Sequence, residues 1–149
     1  MLRSALALLA VVLAFSTHPV QAQEHYTLGP ISRIILVDIK PGKGSEFWTD
    51  LRQRVRPLYD EYKRQGLIQD YSVGLKTTAD GPQDWDVAIV LTFQNWAALD
   101  TFTTKGDSVS KSYYGSYDKR SEAGAKRSEY GVINSSFLLR NATLREMPR

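Results

Sequence analysis

The chain has 149 residues, a formal net charge of +3 with acidic and basic residues interspersed, and no cysteine. That balance argues against nucleic acid or an anionic membrane surface as a partner, and without cysteine the fold must rest on its core or on a partner subunit. The length suits one domain with a single core and is too short for two.

Arg3 precedes an apolar run from Ala5 to Phe15, and "STHPVQAQEH" follows, with Val20 and Ala22 at the two positions a signal peptidase reads. Residues 1–22 are therefore expected to be a secretory signal cleaved after Ala22. The run is shorter than the roughly 20 apolar residues a membrane span needs, so no membrane association is expected after cleavage. The destination is secreted or periplasmic, and residues 23–31 form a polar lead-in.

Residues 33–40, "RIILVDIK", are almost continuously apolar, which fits a strand buried on both faces. "PGKG" ends it. Ser45 is the expected N-cap of a helix with Glu46 in its first turn, and Phe47, Leu51, Val55, Leu58 and Tyr62 make one apolar stripe that Gly66 closes. Pro57 lies inside that stripe and lacks the N–H that would bond the Gln53 carbonyl, so the helix should loosen there. Asp50 with Arg54, Arg56 with Asp60, and Asp60 with Arg64 are four apart and read as a solvated face.

A second strand is expected over 68–76, where Tyr71, Val73 and Leu75 alternate with Asp70, Ser72 and Gly74. "TTADGPQ" is a turn by composition and makes a hairpin with the third strand, "DVAIVLTF". Asn95 then caps a helix that carries Trp96, Leu99 and Phe102 at successive spacings of three. Residues 106–131 form a polar insert, part of it helical and exposed. The final strand, "VINSSFLLRNATL", covers 132–144, and 145–149 are a tail.

Strand, helix, strand, strand, helix, strand is the ferredoxin-like α+β pattern: a βαββαβ fold with a four-stranded antiparallel sheet and both helices on one face. The helices cover that face only. Yet on the first strand Ile35, Val37 and Ile39 lie opposite Ile34 and Leu36, and on the third Val87, Ile89, Leu91 and Phe93 lie opposite Ala88 and Val90. A second copy of the same sheet is the simplest cover for the open face, so a homodimer is expected.

Over residues 32–144 the chain resembles the dimeric α+β barrel superfamily, which includes antibiotic-biosynthesis-type monooxygenases, stress-responsive barrel domains and NIPSNAP-like domains. The resemblance rests on "RIILVDIKPGKGSEFWTDL" and on "LTFQNWAALDTF", both signatures of fold rather than of activity. It implies a dimeric barrel. Haem-binding members commonly use a core histidine, whereas this chain keeps only His25 outside the signal, so no haem and no other cofactor or metal is expected. Ser-His-Asp and Cys-His catalysis lack their residues, and "GKGS" at 42–45 lacks the spacing and context of a phosphate loop.

Alternation then nominates groups to line a cavity on the open face: Asp38, Ser72, Asp86, Thr92, Asn134, Ser136 and Arg140, among Leu36, Ala88, Val90 and Leu138. Trp96 at the start of the second helix is added as a binding residue. Asp38 is the candidate catalytic base, since a carboxylate ringed by Ile and Leu would have a raised pKa, although a strand-end carboxylate paired with Lys or Arg is the plainer account. Tyr113, Tyr114 and Tyr117 of the insert are candidates for a lid over the cavity mouth. Three functions fit: binding of a small apolar or aromatic molecule, a cofactor-independent monooxygenase- or isomerase-type enzyme in which Asp38 or a tyrosine moves a proton, or a structural dimerisation domain. Asn134-Ser-Ser and Asn141-Ala-Thr match the glycosylation pattern, but both fall on the last strand.

Overall fold

A computed structural model describes residues 25–78, 81 and 84–146; the expected signal at 1–22 lies outside them. The elements are β1 (Tyr26–Ile39), α1 (Gly44–Asp50), a π-helical turn (Leu51–Val55), α2 (Arg56–Arg64), β2 (Asp70–Leu75), β3 (Val87–Phe93), α3 (Trp96–Tyr114), α4 (Tyr117–Ser128) and β4 (Gly131–Leu144). The four strands form one antiparallel sheet in the order β2-β3-β1-β4, the ferredoxin-like arrangement. β1 starts earlier than expected. Its outer end, Tyr26–Leu28, pairs with Ala142–Leu144, so much of the lead-in is strand.

The two apolar strands sit at the centre, as their two-sided sequences ask. Ile31↔Phe93, Ile35↔Ile89 and Val37↔Val87 pair across them, and Ile31, Phe93 and Val87 are fully buried. Burial of side chains of this size is worth about 1.5–3 kcal/mol each. Leu58, Tyr62, Leu67, Ile68 and Leu99 close over Ile31, Leu91 and Phe93. Farther along the sheet, Phe47 packs on Val37, Val87 and Ile89 as a smaller second cluster.

The first helix begins at Gly44 rather than after Ser45, and its N-cap, Lys43, makes no side-chain cap. Lys43 Nζ reaches Glu46 Oε1 at 3.0 Å instead, which ties the first turn by charge. The loosening expected near Pro57 takes the form of the π-helical turn just before it, where the Arg56 N–H donates to the Leu51 carbonyl five residues back. Pro57 cannot supply the next donor in either an α or a π ladder. Arg54 and Arg56 find Asp50 and Asp60 as expected, at 3.6 and 3.8 Å, but Asp50 is buried rather than part of a solvated face. Arg64 does not pair with Asp60: it takes Glu61, and Asp60 Oδ1 accepts from the Tyr71 hydroxyl at 2.6 Å.

Asn95 caps α3 as expected, its side-chain oxygen accepting from the Ala98 N–H at 2.9 Å. The helix does not stop at Gly106. A Cβ there would meet the Phe102 ring of the same helix at 3.2 Å, so the glycine leaves room for that ring, which meets Tyr62 of α2 edge-on at 5.1 Å, and the Tyr62 hydroxyl donates to the Gly106 carbonyl at 3.2 Å. Gly115 ends α3 in the left-handed region, φ 88°, which glycine adopts without strain. Ser116 at once caps α4 through a bond from the Lys119 N–H. The insert is therefore two helical pieces packed on the body of the fold, rather than a loosely structured excursion.

β4 carries the main departure in register. Leu36 pairs with Ser135 but Val37 with Ile133, so Asn134 is an extra residue, a β-bulge. Beyond it Ser136, Leu138 and Arg140 pair with Ile35, Arg33 and Ile31, on the helix-covered face. Ser135, Phe137 and Leu139 occupy the open face. The expected placement of Ser136, Leu138 and Arg140 there is corrected by this pairing: a shift of one residue exchanges every side chain between faces.

Candidate functional site

Above the second core cluster the sheet and helices do not meet fully. They enclose a cavity of about 470 Å³, bounded below by Ile35, Val37 and Ile89 and by Gly131, Val132 and Ile133 of β4. Phe47, Asp50, Leu51, Val55 and Tyr59 form one wall, and Gly124, Arg127 and Ser128 of α4 form the other. The π-helical turn contributes Leu51 and Val55 to the first wall. A space of this size, mostly apolar with a few polar groups, has the makeup of a small-molecule site.

The polar groups are organised around one carboxylate. Asp50 is nearly fully buried, and its Oδ2 accepts from Arg127 Nε at 2.9 Å while Oδ1 lies 3.6 Å from Arg54 Nη1. Arg127 Nη2 donates to the Tyr114 hydroxyl at 3.1 Å. Burial acts against the Arg127 charge, but the Asp50 and Tyr114 hydrogen bonds outweigh it and raise its pKa further. The cavity thus has a fixed cation on α4 held by a fixed anion on α1.

Tyr59 is the other polar group. Its ring is wedged between Tyr62, at 6.3 Å between centroids, and Tyr71, at 5.4 Å. Burial pushes its phenol up to about 12, with the Arg127 charge opposing. It therefore stays protonated at any physiological pH and acts as a donor, not a base. Among the described residues its hydroxyl has no hydrogen-bond partner.

The residues nominated from sequence lie outside this helix-side cavity. Leu36, Ser72, Val90 and Thr92 do share the open face, with Ser72↔Val90 and Leu36↔Ala88 as direct pairs. Asp38 is on that face too, but at the exposed end of β1 and not among Ile and Leu side chains. Partial desolvation and, after it, the neighbouring Asp86 raise its carboxyl above the usual aspartate value. The direction matches expectation; the setting differs in that the side chain is exposed and its charged neighbours are the acids Asp86 and Asp84 rather than Lys or Arg.

Asp86 precedes β3, and its Oδ2 accepts from the Ile39 N–H at 2.7 Å, a structural tie between strand ends. Asn134 donates to the Asp84 carbonyl at 2.5 Å. Arg140 stands on the helix-side row near the sheet edge, and Trp96 is 48% exposed at the start of α3. None of these borders the helix-side cavity. Of the three insert tyrosines, Tyr114 packs on the core and orients Arg127, while Tyr117 donates to Asp107 at 2.8 Å. Tyr113 stacks edge-on against Tyr114 at 5.0 Å. The cover over the cavity is α4 itself.

Asp50, Tyr59 and Arg127 were the residues missed. Asp50 had a legible signal: it stands three residues after Phe47, on the edge of the buried stripe, where a carboxylate needs a partner. Arg127 had none, being one basic residue in a polar insert.

No protein-family model matches the chain, and no curated protein matches it. Among the solved structures similar to it is a hypothetical protein of Arabidopsis thaliana studied in solution, 12% identical, with a TM-score of 0.45 over 85% of this chain and 96% of that one. A second is a dimeric ferredoxin-like protein from an uncultured marine organism, 8% identical, with a TM-score of 0.43 over 81% of this chain and 99% of that one.

Proposed function

We propose that the chain is exported to the periplasm or beyond, loses residues 1–22, pairs with a second copy of itself, and binds a small, largely apolar molecule in the helix-side cavity of each subunit. The observation that carries the reading is the cavity: about 470 Å³ between sheet and helices, apolar on most sides, with Asp50, Tyr59, Arg127 and Ser128 as its polar groups. Pairing is supported by the open face of the sheet. There Ile34, Leu36, Ala88 and Val90 adjoin Phe137 and Leu139, which are 40% and 49% exposed, and such a surface favours a self-complementary cover.

Binding rather than proton transfer is the activity these groups support. The one carboxylate of the cavity is engaged by two guanidinium groups, and the phenol beside it is held protonated. Native mass spectrometry of the secreted protein tests both parts. The expected result is a dimer retaining a molecule of a few hundred daltons, with Val90→Glu giving a monomer; a wild-type monomer overturns the pairing, and a protein that takes up no apolar compound overturns the binding.

A further inference from the structure

We infer that the cavity selects an amphiphile with an apolar body and an anionic head, a carboxylate or sulfonate, seated between the Tyr59 hydroxyl and the Arg127 guanidinium. The inference rests on the reading of this cavity as a binding site and goes on to name the chemistry of the ligand. Three observations carry it.

The first is a local charge count. Asp50 is a single negative charge facing two guanidinium groups, Arg127 at 2.9 Å and Arg54 at 3.6 Å. One positive charge is left in excess over the three groups; Arg54 is 48% exposed and outside the cavity lining, so Arg127 is the cation that a ligand in the cavity meets. A cationic ligand would have to displace an arginine from Asp50; an anion meets the excess directly.

The second is donor supply. A guanidinium carries five N–H groups; Nε is spent on Asp50 and one Nη2 hydrogen on Tyr114, which leaves donors without a protein acceptor. The Tyr59 hydroxyl is a further donor with no partner. A carboxylate or sulfonate offers several lone pairs in one plane or cone, whereas a neutral ligand with one oxygen satisfies one donor at most.

The third is the character of the remaining lining. Ile35, Val37, Leu51, Val55 and Ile89 present only hydrocarbon. At about 470 Å³ the space lies within the roughly 300–1,000 Å³ that holds drug-sized ligands, enough for a fused-ring body with a pendant ring.

The test uses two dyes that share an N-phenyl-naphthylamine body: 8-anilinonaphthalene-1-sulfonate, which carries the anion, and N-phenyl-1-naphthylamine, which does not. Gly124→Leu blocks the cavity, since a Cβ at Gly124 meets no atom within 4 Å and α4 gains helix propensity from the change; its melting temperature verifies the fold. Tyr59→Phe removes one hydroxyl and no packing, and serves as the second variant. The expected result is fluorescence titration in which the sulfonate binds about tenfold or more tightly than the neutral dye. Tyr59→Phe narrows that ratio, and Gly124→Leu abolishes the binding. Equal affinities, both lost in Gly124→Leu, overturn the anionic head while leaving the cavity as a site. Dye binding that ignores Gly124→Leu in a folded protein overturns the site and the inference together.

Discussion

The tether between Asp50 and Arg127 is where a single change should report most on the site. Helix α4 buries only Ala123; this pair ties it to the first helix, while the Arg127–Tyr114 bond and Asp107, shared by Tyr117 and Arg120, tie it to α3. A fully buried pair costs about 3–5 kcal/mol when one partner is removed, and an exposed one about 0–1. The Asp50 side chain is 6% exposed and that of Arg127 38%, and Arg54 stays near Asp50 as a second, longer contact. An intermediate cost of about 1–3 kcal/mol follows for Arg127→Gln. If opening of α4 is local, its amides should lose about ten- to a hundredfold in hydrogen-exchange protection, at 1.4 kcal/mol per tenfold, while those of β3 change little. Asp50→Asn combined with Arg127→Gln should destabilise by less than the two single changes added, because the stranded carboxylate is gone. Equal protection of α4 in wild type and variant, or strict additivity, would refute the view that this pair closes the cavity.

Further outcomes follow from the core, the cap and the acids. Phe93→Ala empties a fully buried ring site that Phe102 meets edge-on at 5.2 Å; the expected loss is about 3–5 kcal/mol in urea unfolding. Asn95→Ala removes the acceptor for the Ala98 N–H and should lower stability by about 1 kcal/mol, a loss that Asn95→Ser largely avoids. Asp38 has a raised carboxyl, so the folded state keeps a proton that the unfolded chain releases. That favours folding below about pH 4 and is lost as pH rises through the folded value. Asp38→Asn should therefore raise the melting temperature at pH 7 and leave it unchanged at pH 3. An effect of equal size at both pH values would show that packing, not titration, governs the position.

The ferredoxin-like order was legible because its decisive signals are local and redundant. β1 and β3 are apolar on both sides, so their place at the sheet centre does not depend on choosing the right parity. Asn95 caps α3 within three residues of itself. The site was illegible for two physical reasons. "NSSFLLRN" on β4 mixes polar and apolar residues on both parities, and the bulge at Asn134 then changes the parity midway. A period-two reading anchored on Asn134 therefore put Arg140 on the wrong face. The other reason is that the far wall of the cavity comes from α4, whose sequence is polar nearly all round. Only contact with Asp50, 77 positions away, makes Arg127 part of a site, and separation of that kind leaves no periodic trace.

β1 is one backbone thick and has business on both sides. Ile35 and Val37 form the floor of the cavity, and Ile34 and Leu36, the residues between them, form the surface offered to a second copy. Occupant and neighbour would be separated by a single layer of peptide. Were both present, a change in the pitch of that layer would move both sets of side chains at once, so a ligand in one subunit would alter the contour met by the other without a hinge, a loop or a long relay between them.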